Sequence, residues 1–167
     1  DDVIGLINFM KGTDYFKYHS CDIDAVRNHV LGDIYHSQLV EVGVPDASLD
    51  FIGENQEAYF RFRNNYANFI NKNASRKSVL YAGSNSGMLH AICAGTQVTD
   101  ACPEGAGSEM WGFIPPFVAT NLPQIINKDY DKAGKSGGTN PIFGVDGSPV
   151  VHDAFIKGYK ISGNDVV

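Results

Sequence analysis

The sequence has 167 residues, a hydrophobic fraction of 43%, 18 glycines and 7 prolines, which describes one folded, turn-rich domain and not a disordered chain. Its 19 acidic residues against 13 basic ones give a formal net charge of −6. With no basic stripe to neutralise phosphates, nucleic acid and anionic membranes are disfavoured as partners, and no run of about 18 apolar residues is present to span a bilayer.

Residues 1–29 read as a lead-in. The opening Asp1-Asp2-Val3-Ile4 lacks the basic region, apolar core and cleavage site of a secretory leader, so a mature or shortened chain is expected. Val3 to Met10 is an apolar stretch expected to be helical, followed by a polar, histidine-containing connection to about Asn28. Leu39, Val40, Val42 and Val44 are β-formers, and Pro45 stops their pairing. Glu54 to Asn73 is predicted as one helix, because Tyr59, Phe62, Tyr66, Phe69 and Ile70 recur at spacings of three and four. This aromatic stripe is read as core lying against a sheet, with Arg61 and Arg63 on the solvated side.

Ser78 to Ile92 places two β-rich runs around the polar turn Gly83-Ser-Asn-Ser-Gly87, and Glu109-Met-Trp-Gly-Phe-Ile-Pro115 follows about one strand later. Strand, tight turn, strand and a tryptophan predicted to be buried form the pattern of one β-propeller blade. Pro115-Pro116 ends that strand, and Val118 to Asn127 is expected to hold a short helix. Lys128 to Asn140 is a charged, glycine-rich loop. Ile142 to Ile156 is predicted as a second strand–turn–strand unit, with Asp146-Gly147 as its turn signal, and the remainder through Val167 as the edge of another strand. The expected fold class is mainly β: a partial propeller with helical insertions. Blades take about 40–45 residues and propellers have about 4–8 blades, so closure by this chain alone is not expected. Its open sheet edges then call for cover by the rest of the protein or by a partner.

Of the three cysteines, Cys93 and Cys102 are well placed for a disulfide closing a hairpin-like loop, which would stabilise the fold by roughly 2.7 kcal/mol. Two buried thiols are the other reading. Cys21 is then unpaired or paired outside the chain. No nucleophile is assigned: Asp33, His36 and Ser37 are neighbours in sequence only, and Asn85 occupies the place of an elbow serine. The serines and asparagine of the turn are read as satisfying its backbone. His36, His90 and His152 are read as packed histidines bonded to backbone carbonyls. Asp129 and Asp131, followed by Gly134, begin like a calcium loop, but Ala133 and Asn140 break the pattern. They are weak metal candidates against a solvated turn. Asn73-Ala74-Ser75 fits a glycosylation acceptor without further support.

Four segments in order resemble the PilC/PilY family of type IV pilus biogenesis proteins and tip adhesins. They are Leu31-Gly-Asp-Ile-Tyr-His-Ser37 with Val42-Gly43, then Tyr81-Ala-Gly-Ser-Asn-Ser-Gly-Met-Leu-His-Ala91, Glu109-Met-Trp-Gly-Phe-Ile-Pro115, and Val145-Asp-Gly-Ser-Pro149 with Asp153. The family's turn usually carries Asp where this chain has Ser86, and its acidic calcium loop further towards the C-terminus is absent. The resemblance implies the first portion of a quinoprotein-like C-terminal propeller: about two to three blades over 30–167, with a helix near 54–73. It also implies a non-enzymatic role in pilus assembly and tip adhesion, at the cell surface, outer membrane or outside a Gram-negative-type cell. Minor pilins and host or abiotic surfaces are the implied partners, with Ca²⁺ an option in the full-length protein. Recognition would then fall to projecting loops, with Gly95 to Ser108 and Lys128 to Asn140 the candidates. Trp111 resembles the blade-docking tryptophan of quinoprotein propellers, so a quinone-cofactor dehydrogenase is the alternative, although its acidic ligands and catalytic aspartate cannot be placed. A purely structural subunit of an extracellular assembly is the third reading.

Overall fold

In the computed structural model, residues 3–14, 26–27, 30–53, 55–95, 105–126 and 140–155 are described, with the backbone of 160–161 and 164–165. The chain divides into two units, Asp1–Gly43 with Lys77–Pro149, and Val44–Arg76 with Val150–Val167.

The first unit is built on an antiparallel sheet in the order β1 (Val40–Val42), β2 (Val79–Gly83), β3 (Leu89–Cys93) and β4 (Glu109–Phe113). β2 and β3 form a hairpin in unbroken register from Val79↔Cys93 to Gly83↔Leu89. Its turn includes Gly87 at φ +80°, a conformation that favours glycine. Ala82, Ala91 and Cys93 are buried. Tyr81 and Trp111 both pair with Ala91, one from each flanking strand. Because Ala91 is small, their rings meet at a centroid distance of 5.7 Å.

Between β3 and β4 the register shifts at Ala91/Ile92, so that Ala91 faces Trp111 while Ile92 faces Glu109. Met110 is the extra residue of a β-bulge. Successive side chains alternate between faces, so this one-residue insertion carries Glu109 to the face that holds His90. Trp111, predicted to be buried, is 45% exposed. β4 is an edge strand, and all five of its residues are exposed.

Before the sheet, α1 (Val3–Met10) has no basic residue in its last turn. Arg27 supplies the cation instead, donating from Nη2 to the carbonyls of Phe9 (3.1 Å) and Val30 (3.3 Å) and lying 4.2 Å over the Phe9 ring. Burial holds the Arg27 guanidinium below its usual pKa, and Asp14 partly offsets this. After the sheet, α4 (Pro116–Ala119) and a 3₁₀ turn (Leu122–Ile125) bury Val118, Leu122 and Ile125. They correspond to the helix expected from Val118.

In the second unit, the single helix predicted for Glu54 to Asn73 is two: α2 (Gln56–Arg63) and α3 (Tyr66–Lys72). Asn65 adopts the left-handed conformation at φ 57° between them, which asparagine tolerates better than most residues. Asparagines also mark the outer ends. Asn55 Oδ1 accepts from the Ala58 amide at 3.0 Å, and Asn73 Nδ2 donates to the Phe69 carbonyl at 2.8 Å. The break rotates the aromatic stripe. Tyr66 is buried, whereas Tyr59 and Phe62 remain 50% and 57% exposed, so the stripe does not form one buried face. Arg61, expected to be solvated, is partly covered and bonds Ser48 O and Glu57.

Two further expectations are corrected. Ile142 to Phe155 contains no strand; its backbone turns at Gly144–Val145 and is held by side chains instead of by a ladder. β5 (Lys160–Ile161) and β6 (Asn164–Asp165) form a minimal antiparallel pair. One four-stranded, open sheet with helices supports the mainly β class, but a second or third blade is not present among the described residues.

Candidate functional site

The β2–β3 turn is a closely bonded, buried polar cluster. Ser84, Asn85, Ser86 and His90 are all buried. The Ser84 amide donates to Met88 O at 3.0 Å, closing the turn. Ser84 Oγ lies 2.9 Å from His90 Nε2 and 2.5 Å from Ser86 Oγ, and His90 Nδ1 lies 2.7 Å from Glu109 Oε1. An ionised carboxylate only accepts, so His90 Nδ1 donates to Glu109, and with the ring proton on Nδ1 alone Nε2 accepts from Ser84.

Serine, histidine and carboxylate bonded in series have the connectivity of a nucleophilic triad. The surroundings are wrong for that chemistry. Ser84 is 0% exposed, and its oxygen is enclosed by Ser86, His90 and Met88 O, leaving no approach for a substrate carbonyl. The chain of bonds instead fixes the hairpin tip to the bulged edge strand. Sequence reading assigned the turn's polar residues to such backbone service. It missed the partner, because Glu109 reaches His90 only through the bulge. It also misassigned the bonds of two histidines: the His90 ring bonds Ser84 and Glu109, and His36 Nδ1 pairs with Asp146.

The remaining segments attach to the same turn. The Gly83 amide donates to Ser37 Oγ at 2.9 Å, the Asn85 amide to Asp33 O at 2.8 Å, and the Ile142 amide to Asn85 O at 2.9 Å. His36 bonds Asp146 through both its ring and its amide, and the Gln38 amide donates to Ser148 Oγ at 3.0 Å. A Cβ on Gly83 would overlap the Val145 carbonyl oxygen, so glycine is required there for close backbone approach. Thus Leu31–Ser37, Tyr81–Ala91, Glu109–Pro115 and Val145–Pro149, dispersed over more than a hundred residues, meet at one turn. Asp33, His36 and Ser37 serve it separately and do not form a triad.

The calcium candidates Asp129 and Asp131 lie outside the described residues, as does most of the Lys128 to Asn140 loop. Among the described residues no group of three or more His, Cys, Asp or Glu is arranged to hold a metal ion. Cys93 is disulfide-bonded; the expected partner, Cys102, and the third cysteine, Cys21, also lie outside the described residues.

The second unit carries a cleft of about 790 Å³ between α2, α3 and residues 152–155, which sequence reading did not find. Its two walls are distant in sequence, and the aromatic stripe on one of them reads as core. Tyr66 Oη donates to Asp153 Oδ2, and Arg76 Nη1 lies 3.7 Å from Asp153 Oδ1. Burial first, and then the Asp153 hydrogen bond, raise the Tyr66 phenol above its usual pKa. His152 also lines this cleft.

No protein-family model and no solved structure matches the chain. Curated relatives do. A type IV pilus biogenesis factor PilY1 of Pseudomonas aeruginosa strain PAK is 32% identical over 152 residues, 91% of this chain and 11% of the relative. The PilY1 of strain PAO1 gives the same figures. A PilY1 homolog of Xylella fastidiosa is 32% identical over 124 residues, 74% of this chain and 9% of the relative. The chain therefore spans about a tenth of the length of these relatives, and across that span it belongs to the PilC/PilY family of type IV pilus biogenesis proteins.

Proposed function

We propose that this chain is a scaffold segment of a non-enzymatic type IV pilus protein acting in pilus assembly and tip adhesion at the outer cell surface. The observation that carries the reading is the convergence of all four family-like segments on the Ser84–His90–Glu109 turn. Ser84 and His90 are buried and committed to these bonds, and the part-exposed Glu109 carboxylate is held by His90. Among the described residues no helix is long and apolar enough to cross a membrane.

Exposed apolar area supports a larger assembly. Met110, Trp111 and Phe113 on the β4 edge are 39%, 45% and 51% exposed, more than an isolated edge usually leaves uncovered. In this reading the sheet is one blade of a propeller. The remaining protein covers the β1 and β4 edges, and minor pilins and host or abiotic surfaces are engaged by loops.

The test is genetic. The full-length gene is replaced in its bacterium by a deletion, by Gly83→Ala, or by a version lacking 128–140. Sheared surface pilin, twitching and attachment are then measured. The expected outcome is loss of surface pili in the deletion, reduced protein and pili for Gly83→Ala, and normal pili with reduced attachment for the loop deletion. Normal piliation and attachment in the full deletion would refute the proposal.

A further inference from the structure

The cleft of the second unit combines three features that together specify a ligand chemistry. The first is an apolar corner. Phe60 and Phe155 are 55% and 58% exposed, and their rings stand at 90° with centroids 5.7 Å apart. Such a corner offers one ring face and one ring edge to a small occupant, and the negative face of an aromatic ring attracts polarised C–H groups.

The second feature is uncommitted carboxamides. Gln56, Asn65 and Asn68 line the cleft, and the side chains of all three lack a hydrogen-bond partner among the described residues. Asn65 stands at the left-handed joint between α2 and α3 and makes no side-chain capping bond. Each carboxamide presents a donor and an acceptor in one plane. Neighbouring hydroxyls on a sugar ring, each both donor and acceptor, complement that pattern. A purely apolar occupant would strip water from the amides without replacing its bonds, which is unfavourable.

The third feature is charge. Glu57 is paired with Arg61 at 3.0 Å, and Asp153 is committed to Tyr66 and Arg76. Both carboxylates of the cleft are thus compensated. The Lys72 ammonium, which also lines it, has no carboxylate partner among the described residues. The uncompensated sign is positive and complements an anionic group. The cleft volume of about 790 Å³ falls in the range of small-ligand sites and accommodates a short oligosaccharide.

From these features we infer that the cleft between α2, α3 and residues 152–155 binds a carboxylate-bearing saccharide. The C–H face of a sugar ring lies on Phe60 and Phe155, its hydroxyls bond Gln56, Asn65 and Asn68, and its carboxylate pairs with Lys72. The inference deepens the adhesion reading by naming a ligand class. It is tested on purified full-length protein, while piliation is scored separately in cells, so that failure of either is distinguishable from failure of the other.

The probes are a galacturonate trisaccharide and its methyl ester, which share ring and hydroxyls and differ in charge, titrated calorimetrically at low salt. The acid is expected to bind saturably and about tenfold more tightly than the ester. Lys72→Gln should abolish that preference while keeping ester binding. Asn68→Ala, at an exposed position, and Phe155→Ala should each weaken both probes by about tenfold or more, with unchanged circular dichroism. Absence of saturable binding of either probe at about 10 mM would overturn the inference. So would wild-type binding by all three variants, or equal affinity for acid and ester in the unsubstituted protein.

Discussion

Replacing His90 by alanine tests whether the buried relay is the keystone of the first unit. His90 is 4% exposed, and its imidazole bonds Ser84 at 2.9 Å and Glu109 at 2.7 Å. The neutral bond to Ser84 contributes about 1 kcal/mol, and one to a charged acceptor about 1.5–3 kcal/mol. The Glu109 side chain is 46% exposed, so solvent screening draws the second bond to the low end of that range. The space left by the ring adds about 1–2 kcal/mol. His90→Ala should therefore cost on the order of 3.5–4.5 kcal/mol, which lowers the midpoint of a chain this size by about 10 °C. Trp111 is the only tryptophan and lies on β4, so its fluorescence during urea or thermal unfolding reports on this unit. A double-mutant cycle with Glu109→Ala isolates the histidine–carboxylate bond, with an expected coupling of about 1 kcal/mol. A cost below about 1 kcal/mol for His90→Ala, or additive effects within about 0.3 kcal/mol, would refute the keystone reading.

The same structure gives other expectations. Gly83→Ala forces a methyl against the Val145 carbonyl oxygen and should cost about 1–3 kcal/mol, read by the same fluorescence transition. Because Tyr66 is raised in the folded state by burial and Asp153, its contribution is intact below the ordinary phenol value of about 10 and declines as pH rises from there through the folded value. Stability profiles of wild type and Tyr66→Phe should therefore differ in slope above about pH 10 and run parallel below it. Reduction of the Cys93 disulfide should destabilise the chain by about 2–4 kcal/mol. Non-reduced peptide mapping should join the Cys93 and Cys102 peptides; a Cys21 link would overturn that pairing.

What the sequence made legible follows the range of the forces involved. The β2–β3 hairpin is local: β-formers flank a glycine-bounded turn, and pairing within so short a loop leaves little choice of register. The aromatic spacing of 54–73 was equally visible and correctly marked helix. Whether Asn65 would leave the helix was not visible, because asparagine is only moderately unfavourable inside one and merely tolerant of the left-handed region. For Ile142 to Ile156, the Asp146-Gly147 pair signalled a turn, but the flanking residues found side-chain partners on 36–38 in place of strand partners. Alternating apolar residues cannot distinguish these outcomes, since both satisfy the backbone.

Trp111 is exposed because β4 is an edge strand, whereas the position of Glu109 has a cause that no local pattern reveals. The Met110 bulge inserts a single residue, and one residue is enough to exchange the two faces of a strand. It delivers Glu109 to His90 at 2.7 Å, while Trp111, in regular register with Ala91, stays on the other face beside Tyr81. The motif Glu-Met-Trp-Gly-Phe is thus a device for aiming two side chains at two different faces, one inward to the relay and one along an exposed edge. This explains why segments so far apart in sequence identify the family together. They are the pieces of one joint, and their chemistry is consumed in making it. Residues engaged in that joint are poorly placed to contact a ligand, which moves the expectation of recognition to surfaces outside it, first among them the cleft lined by Phe60, Asn68, Lys72 and Phe155.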